Sequence, residues 1–206
     1  SQAGARAAAA PTAPLPDTAQ ATVAPPPETA TAYVSDYATA QVQPQQTDVG
    51  SSYFYDSLAP YGNWVNVDGY GMCWQPTVTV IHSGWQPYGD NGRWLDTDCG
   101  WYWQSDYSWG WAPFHYGRWF RHNRWGWCWW PDRVWAPSWV TWRYSGDYCG
   151  WAPLPPFACY SPGIGFSYYN RSVGISFNFG LSADCYTFVP FGRFCDYRPH
   201  RYYLPR

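Results

Sequence analysis

All 17 tryptophans of this chain fall between Trp64 and Trp151, and they recur together with their neighbours. One unit runs from "GNW" (Gly62 to Trp64) to "GMCWQP" (Gly71 to Pro76). A second runs from "GRW" (Gly92 to Trp94) through "GWYW" (Gly100 to Trp103) to "WAP" (Trp111 to Pro113). A third runs from "GRW" (Gly117 to Trp119) through "GWCW" (Gly126 to Trp129) to "WAP" (Trp135 to Pro137), and a shortened fourth holds Trp142, Arg143 and "GWAP" (Gly150 to Pro153). The leading tryptophan returns at 64, 94, 119 and 142, in steps of 30, 25 and 23 residues, a length that suits one β-hairpin per unit. Tryptophans two apart in "GWYW" and "GWCW" share one face of a strand, with Tyr102 or Cys128 on the other. Turn signals separate the strands at "VDGYG", "GDNG" and "SGD". Each Trp-Ala-Pro is expected to end a strand, because proline has no ladder donor.

Composition agrees with a β protein. The chain has no lysine, one glutamate (Glu28), six leucines and one methionine, while aromatic residues make up 22% of it beside 19 glycines and 20 prolines. The expected fold is all-β: an antiparallel sheet or small barrel of Trp-rich hairpins, preceded by a disordered or extended N-terminal arm. Residues 51–156 form the hairpin domain and 157–206 a Cys/Tyr/Phe-rich β extension, in which "VGISFNFGLS" (173–182) and "CYTFVP" (185–190) read as strands. After residue 50 eleven arginines face ten aspartates, so no basic field attracts nucleic acid.

The arm, residues 1–50, holds fourteen alanines and seven prolines and too little apolar surface to offset its ordering entropy. Within it, residues 29–43 alternate like a strand, with Val34 and Val42 in the small apolar set and Tyr33 and Tyr37 in the other. Such a segment is a candidate to complete the sheet edge of another molecule. No apolar run is long enough for a transmembrane helix. A start at Ser-Gln suits a chain whose signal peptide has been removed after a small residue, as it would suit a cloned fragment. Seven cysteines also suit export, and a secreted, extracellular or cell-surface location is expected.

"SSYFYDSLAPYGNWV" (51–65), "GWQPYGDNGRW" (84–94), "WGWAPFHYGRW" (109–119), "VWAPSWVTWR" (134–143) and "GWAPLPP" (150–156) occur in that order. Together with "CYTFVPFGRF" they resemble a family of exported bacterial proteins of unknown function, rich in tryptophan and proline. The resemblance implies an envelope or secreted location and a β-rich domain, and no activity.

Cys73, Cys99, Cys128, Cys149, Cys159, Cys185 and Cys195 contain no C-x-x-C pair, which disfavours a zinc or thioredoxin-type site. Disulfides are the expectation, with cross-strand staples at related points of successive hairpins. The odd cysteine is left for an intermolecular bond or a buried free thiol. His115 in "FHYGRW" lacks any accompanying nucleophile or metal motif, so a hydrogen-bonded core histidine is expected. Asp96, Asp98 and Asp106 sit in no calcium-type loop. No catalytic residue, metal or cofactor is expected. Arg93, Arg118 and Arg143 each adjoin a repeat tryptophan and are candidates for stacking on aromatic rings.

Two functions fit. One is a non-enzymatic structural protein that assembles with itself, through its arm and aromatic surfaces, into a filament or matrix. The alternative is a carbohydrate-binding module in which indoles such as Trp109, Trp111 and Trp130 are platforms for the sugar rings of surface glycans.

Overall fold

A computed structural model describes residues 48–161 and 163–205. The arm's strand candidates Tyr33, Val34, Tyr37 and Val42 lie outside the described residues. The chain enters through helix α1 (Asp48–Leu58) and continues as hairpin β1 (Gly62–Val67) and β2 (Gly71–Pro76), then a short helix α2 (Thr77–Ile81). Three more hairpins follow: β3 (Gly92–Thr97) with β4 (Gly100–Ser105), β5 (Arg118–His122) with β6 (Gly126–Trp130), and β7 (Val140–Ser145) with β8 (Tyr148–Pro153). Short strands β9 (Ala158–Ser161), β10 (Gly165–Tyr168) and β11 (Arg171–Val173) form a meander, and β12 (Thr187–Pro190) returns to pair with β8.

All pairings are antiparallel, in four sheets ordered β1-β2-β6-β5, β11-β10-β9, β12-β8-β7 and β3-β4; none closes into a barrel among the described residues. Every repeat unit is one hairpin, and its two tryptophans are directly opposed across the strands: Trp64 with Trp74, Trp94 with Trp103, Trp119 with Trp129, Trp142 with Trp151. Hairpins one and three join through Trp74 and Trp129, so Trp64, Trp74, Trp129 and Trp119 form a row across the whole four-stranded sheet. Directly opposed residues share a face, so this row is a continuous aromatic wall. The second and fourth hairpins meet where Trp94 packs on Trp142 and Trp151, at centroid distances of 4.9 and 5.5 Å. The C-terminal extension joins the same core through Cys185, Tyr186, Val189 and Phe194.

The recurring glycine two residues before the leading tryptophan has a steric reason. A methyl group at Gly62 would come within 2.7 Å of the Trp74 ring, at Gly92 within 2.7 Å of Trp103, and at Gly117 within 2.6 Å of Trp129. Each glycine therefore makes room for the second indole of its own hairpin. Gly62 is extended (φ −176°), so there the demand is for space alone. Gly117 also has φ +63°, which adds a backbone penalty to any side chain. Gly92→Ala is expected to destabilise the protein by about 1–3 kcal/mol, because the methyl meets both the Gln104 carbonyl oxygen (2.6 Å) and the Trp103 ring. Gly84→Ala, where a methyl meets nothing within 4 Å, is the matched control and should stay within about 0.5 kcal/mol of the parent in urea unfolding.

Two local expectations are corrected, and one helix carried no clear sequence signal. Residues 174–182 are not a strand: the Arg143 guanidinium donates to the carbonyls of Ile175 and Phe177 (3.2 and 2.6 Å), so acceptors a ladder would use are met by a side chain. Only the last Trp-Ala-Pro ends a strand, β8; those at 111–113 and 135–137 lie in loops. Helix α1 was masked by its Ser- and Tyr-rich sequence, although Phe54 and Leu58, four apart and both buried, carry helical spacing.

Candidate functional site

The indoles are used from the inside. Trp74, Trp94, Trp103, Trp119, Trp129 and Trp151 are all fully buried. Several spend their N–H on carbonyls outside the strands: Trp74 donates to Leu58 (3.1 Å), Trp119 to Pro113 (2.8 Å), Trp129 to Tyr116 (2.7 Å) and Trp151 to Tyr88 (2.7 Å). A fold with short strands and long loops leaves many buried carbonyls without a ladder partner. Indole supplies a large apolar body and one donor to meet them; an aliphatic side chain supplies only the first.

This use of tryptophan removes one of the expected platforms. Trp109 is 5% exposed, packed on Trp74 and stacked on Tyr107 (4.4 Å), and has no face to offer a ligand. Trp111 is half-buried beneath α1 against Tyr53 and Phe54, and Trp130 is half-buried with its N–H fixed to the Tyr70 carbonyl (3.1 Å).

Arg93, Arg118 and Arg143 each lie over an aromatic ring, though never that of the adjoining tryptophan. Their partners come from elsewhere in the chain: Tyr197 at 4.7 Å, Trp139 at 3.3 Å and Tyr186 at 5.4 Å. Arg118 is itself buried and donates to the carbonyls of Ala158 (2.9 Å) and Gly117 (2.8 Å), so it ties β5 to the start of β9.

The seven cysteines are free thiols in place of the expected cross-strand staples; within their own hairpins Cys73 faces Val65, Cys128 faces Phe120 and Cys149 faces Tyr144. Cys73 and Cys128 instead share a small buried cluster with Val67 and Phe120, where burial pushes both thiols up to about 12. Cys99, Cys159 and Cys195 are exposed. His115 is a buried core residue stacked on Tyr102 (4.4 Å). Among the described residues no three His, Cys, Asp or Glu side chains gather as a metal site would need, and no helix is long and apolar enough to cross a membrane.

Exposed aromatic residues are spread over the surface, and two of them stack on each other at the end of one sheet. Tyr144, at the end of β7, stacks on Phe191 just beyond β12 (5.7 Å, 11° between planes), and the two are 65% and 53% exposed. Tyr148, also exposed, lies across from Pro190 on the same sheet. The sequence hides this patch: Tyr144 continues the core face of Trp142 past the edge of the core, and Phe191 arrives from a distant turn.

Residues 55–158 match a family described as a family of unknown function (DUF6600). No curated protein and no solved structure matches the chain.

Proposed function

Since the chain belongs to the DUF6600 family of unknown function, we propose from its own geometry that it is an exported, non-enzymatic structural protein of the cell surface or extracellular matrix, a rigid block that joins to copies of itself. The observation that carries this reading is the stacked, solvent-exposed pair Tyr144–Phe191 on the β7–β8–β12 sheet. Scattered exposed aromatics need no explanation, but a contiguous patch beside a sheet edge is the kind of surface a partner covers. The alternating segment 29–43 supplies a second means of attachment, as a strand added to an open edge such as β1, which pairs only with β2 among the described strands. An arm of one copy on the edge of the next is a head-to-tail contact, which propagates unless the rotation closes. In an oxidising compartment the exposed thiols of Cys99, Cys159 and Cys195 would add covalent links between copies.

Sedimentation of the full chain over a range of concentrations, with and without reductant, tests this. Oligomers that grow with concentration are expected. Deletion of residues 29–43, or the double change Tyr144→Ser and Phe191→Ser, should shift the distribution toward monomer with unchanged circular dichroism. A monomer at every concentration, in both redox conditions, overturns the reading.

A further inference from the structure

Beside the third hairpin lies a cleft of about 580 Å³; of the expected site residues only Cys185 lines it. Its walls come from five parts of the chain: the end of the β5–β6 hairpin, Tyr70 in the β1–β2 turn, Pro155 after β8, Tyr168 of β10, and the segment from Phe179 to Cys185. The volume is within the usual range of small-molecule sites, about 300–1,000 Å³.

The lining has two chemistries. One is aromatic: half-buried Tyr70, backed by the buried Phe120 (4.4 Å, 20°), and half-buried Tyr168, edge-on to the buried Phe179 (5.6 Å, 85°). The other is a polar rim in which Arg121 donates to the Asp184 carboxylate, which also accepts from the Ser182 hydroxyl. The Ser182 bond, with Arg121 after it, holds that carboxyl below the usual range, so it is an acceptor at neutral pH. His122 uses Nδ1 to accept the backbone N–H groups of Arg124 and Trp125 (3.2 and 3.3 Å), so the neutral ring carries its proton on Nε2, as a donor.

We propose that this cleft binds a neutral pyranoside sugar. The cation and anion of the rim cancel, so a charged ligand gains little from the site. A ligand with adjacent hydroxyls gains twice, because one hydroxyl can accept from the guanidinium while its neighbour donates to the carboxylate. The apolar C–H face of a sugar ring matches the exposed parts of Tyr70 and Tyr168, which a small ion or an acidic peptide would leave unused. Both charged side chains are about half exposed (48% and 51%), so a ligand reaches them without opening the fold. This site is separate from the Tyr144–Phe191 patch and does not depend on self-assembly.

The test is saturation-transfer NMR followed by titration calorimetry of the full chain with gluco-, manno- and galacto-configured neutral oligosaccharides, their monosaccharides, and a uronic-acid oligomer. Binding of at least one neutral sugar is expected, weakened about tenfold or more by Asp184→Asn and by Arg121→Gln. Asp196→Asn, which breaks the remote Arg193–Asp196 pair, should leave affinity unchanged. Preference for an oligosaccharide over its monosaccharide identifies a polymer as the source, and equal binding identifies free sugar; either supports the site. Urea unfolding of each variant separates lost binding from lost folding, and Ser182→Ala, expected to weaken binding with the same fold, is the second probe. No binding by any neutral sugar, preference for the uronic acid, or binding unaffected by all three cleft changes in folded protein overturns the proposal.

Discussion

Trp94→Ala is expected to cost about 3–5 kcal/mol, a large part of the roughly 5–15 kcal/mol that holds a domain of this kind together. Trp94 is 1% exposed and meets Tyr88, Trp103, Trp142, Trp151 and Phe194, so its loss opens a cavity where the second hairpin, the fourth hairpin and the C-terminal extension meet. Phenylalanine separates packing from hydrogen bonding. The Trp94 indole N–H is buried without a partner among the described residues, whereas that of Trp119 donates to Pro113 at 2.8 Å. Trp94→Phe therefore removes ring volume but also a poorly placed donor; Trp119→Phe removes ring volume and leaves a buried carbonyl unmet. Trp119→Phe should be the more destabilising by about 1–2 kcal/mol in urea unfolding. Equal costs would mean that indole donation to loop carbonyls contributes nothing, and that tryptophan serves this core by bulk alone.

The hairpins were legible in the sequence because three features recur in phase: a glycine, a tryptophan two residues later, and a glycine turn before the second tryptophan. In the first three hairpins the leading glycine makes room for the second indole, and the glycine turn returns the chain to place it there. Sheet order was not legible. Pairing of β2 with β6 skips the second hairpin and rests on Trp74 meeting Trp129, which depends on how finished hairpins pack. The same limit applies to the sites. Arg93, Arg118 and Arg143 were identifiable by type and context, but Tyr197, Trp139 and Tyr186 reach them by tertiary folding. Trp109, read as a platform, is core because a tryptophan-rich sequence gives no sign of which indoles the loops will cover. The cleft was not legible because Arg121, Ser182 and Asp184 form no motif along the chain and meet only when the C-terminal segment folds over β5.

Acid should weaken this protein through one histidine in a defined window. His115 is 3% exposed, stacked on Tyr102 at 4.4 Å and facing Trp135 at 6.0 Å, with Nδ1 3.2 Å from the Ala136 carbonyl. That contact suits the neutral ring with its proton on Nδ1, donating to the carbonyl. Burial lowers its pKa from 6.5 to about 4, partly opposed by the backbone carbonyls beside it. Between those values the unfolded chain takes up a proton that the folded chain refuses. Stability therefore falls as pH drops from about 6.5 and levels off once pH is below about 4, for a loss on the order of 3 kcal/mol. His115→Phe keeps a flat ring in the stack, loses the bond to Ala136 and cannot titrate. At pH 8 the variant should be the less stable protein. The gap should close on acidification through this window, since every other titrating group is common to both proteins and cancels in the difference. A gap that stays constant from pH 8 to pH 4 would show that His115 is protonated inside the fold as readily as outside it, and that its aromatic surroundings admit a charge.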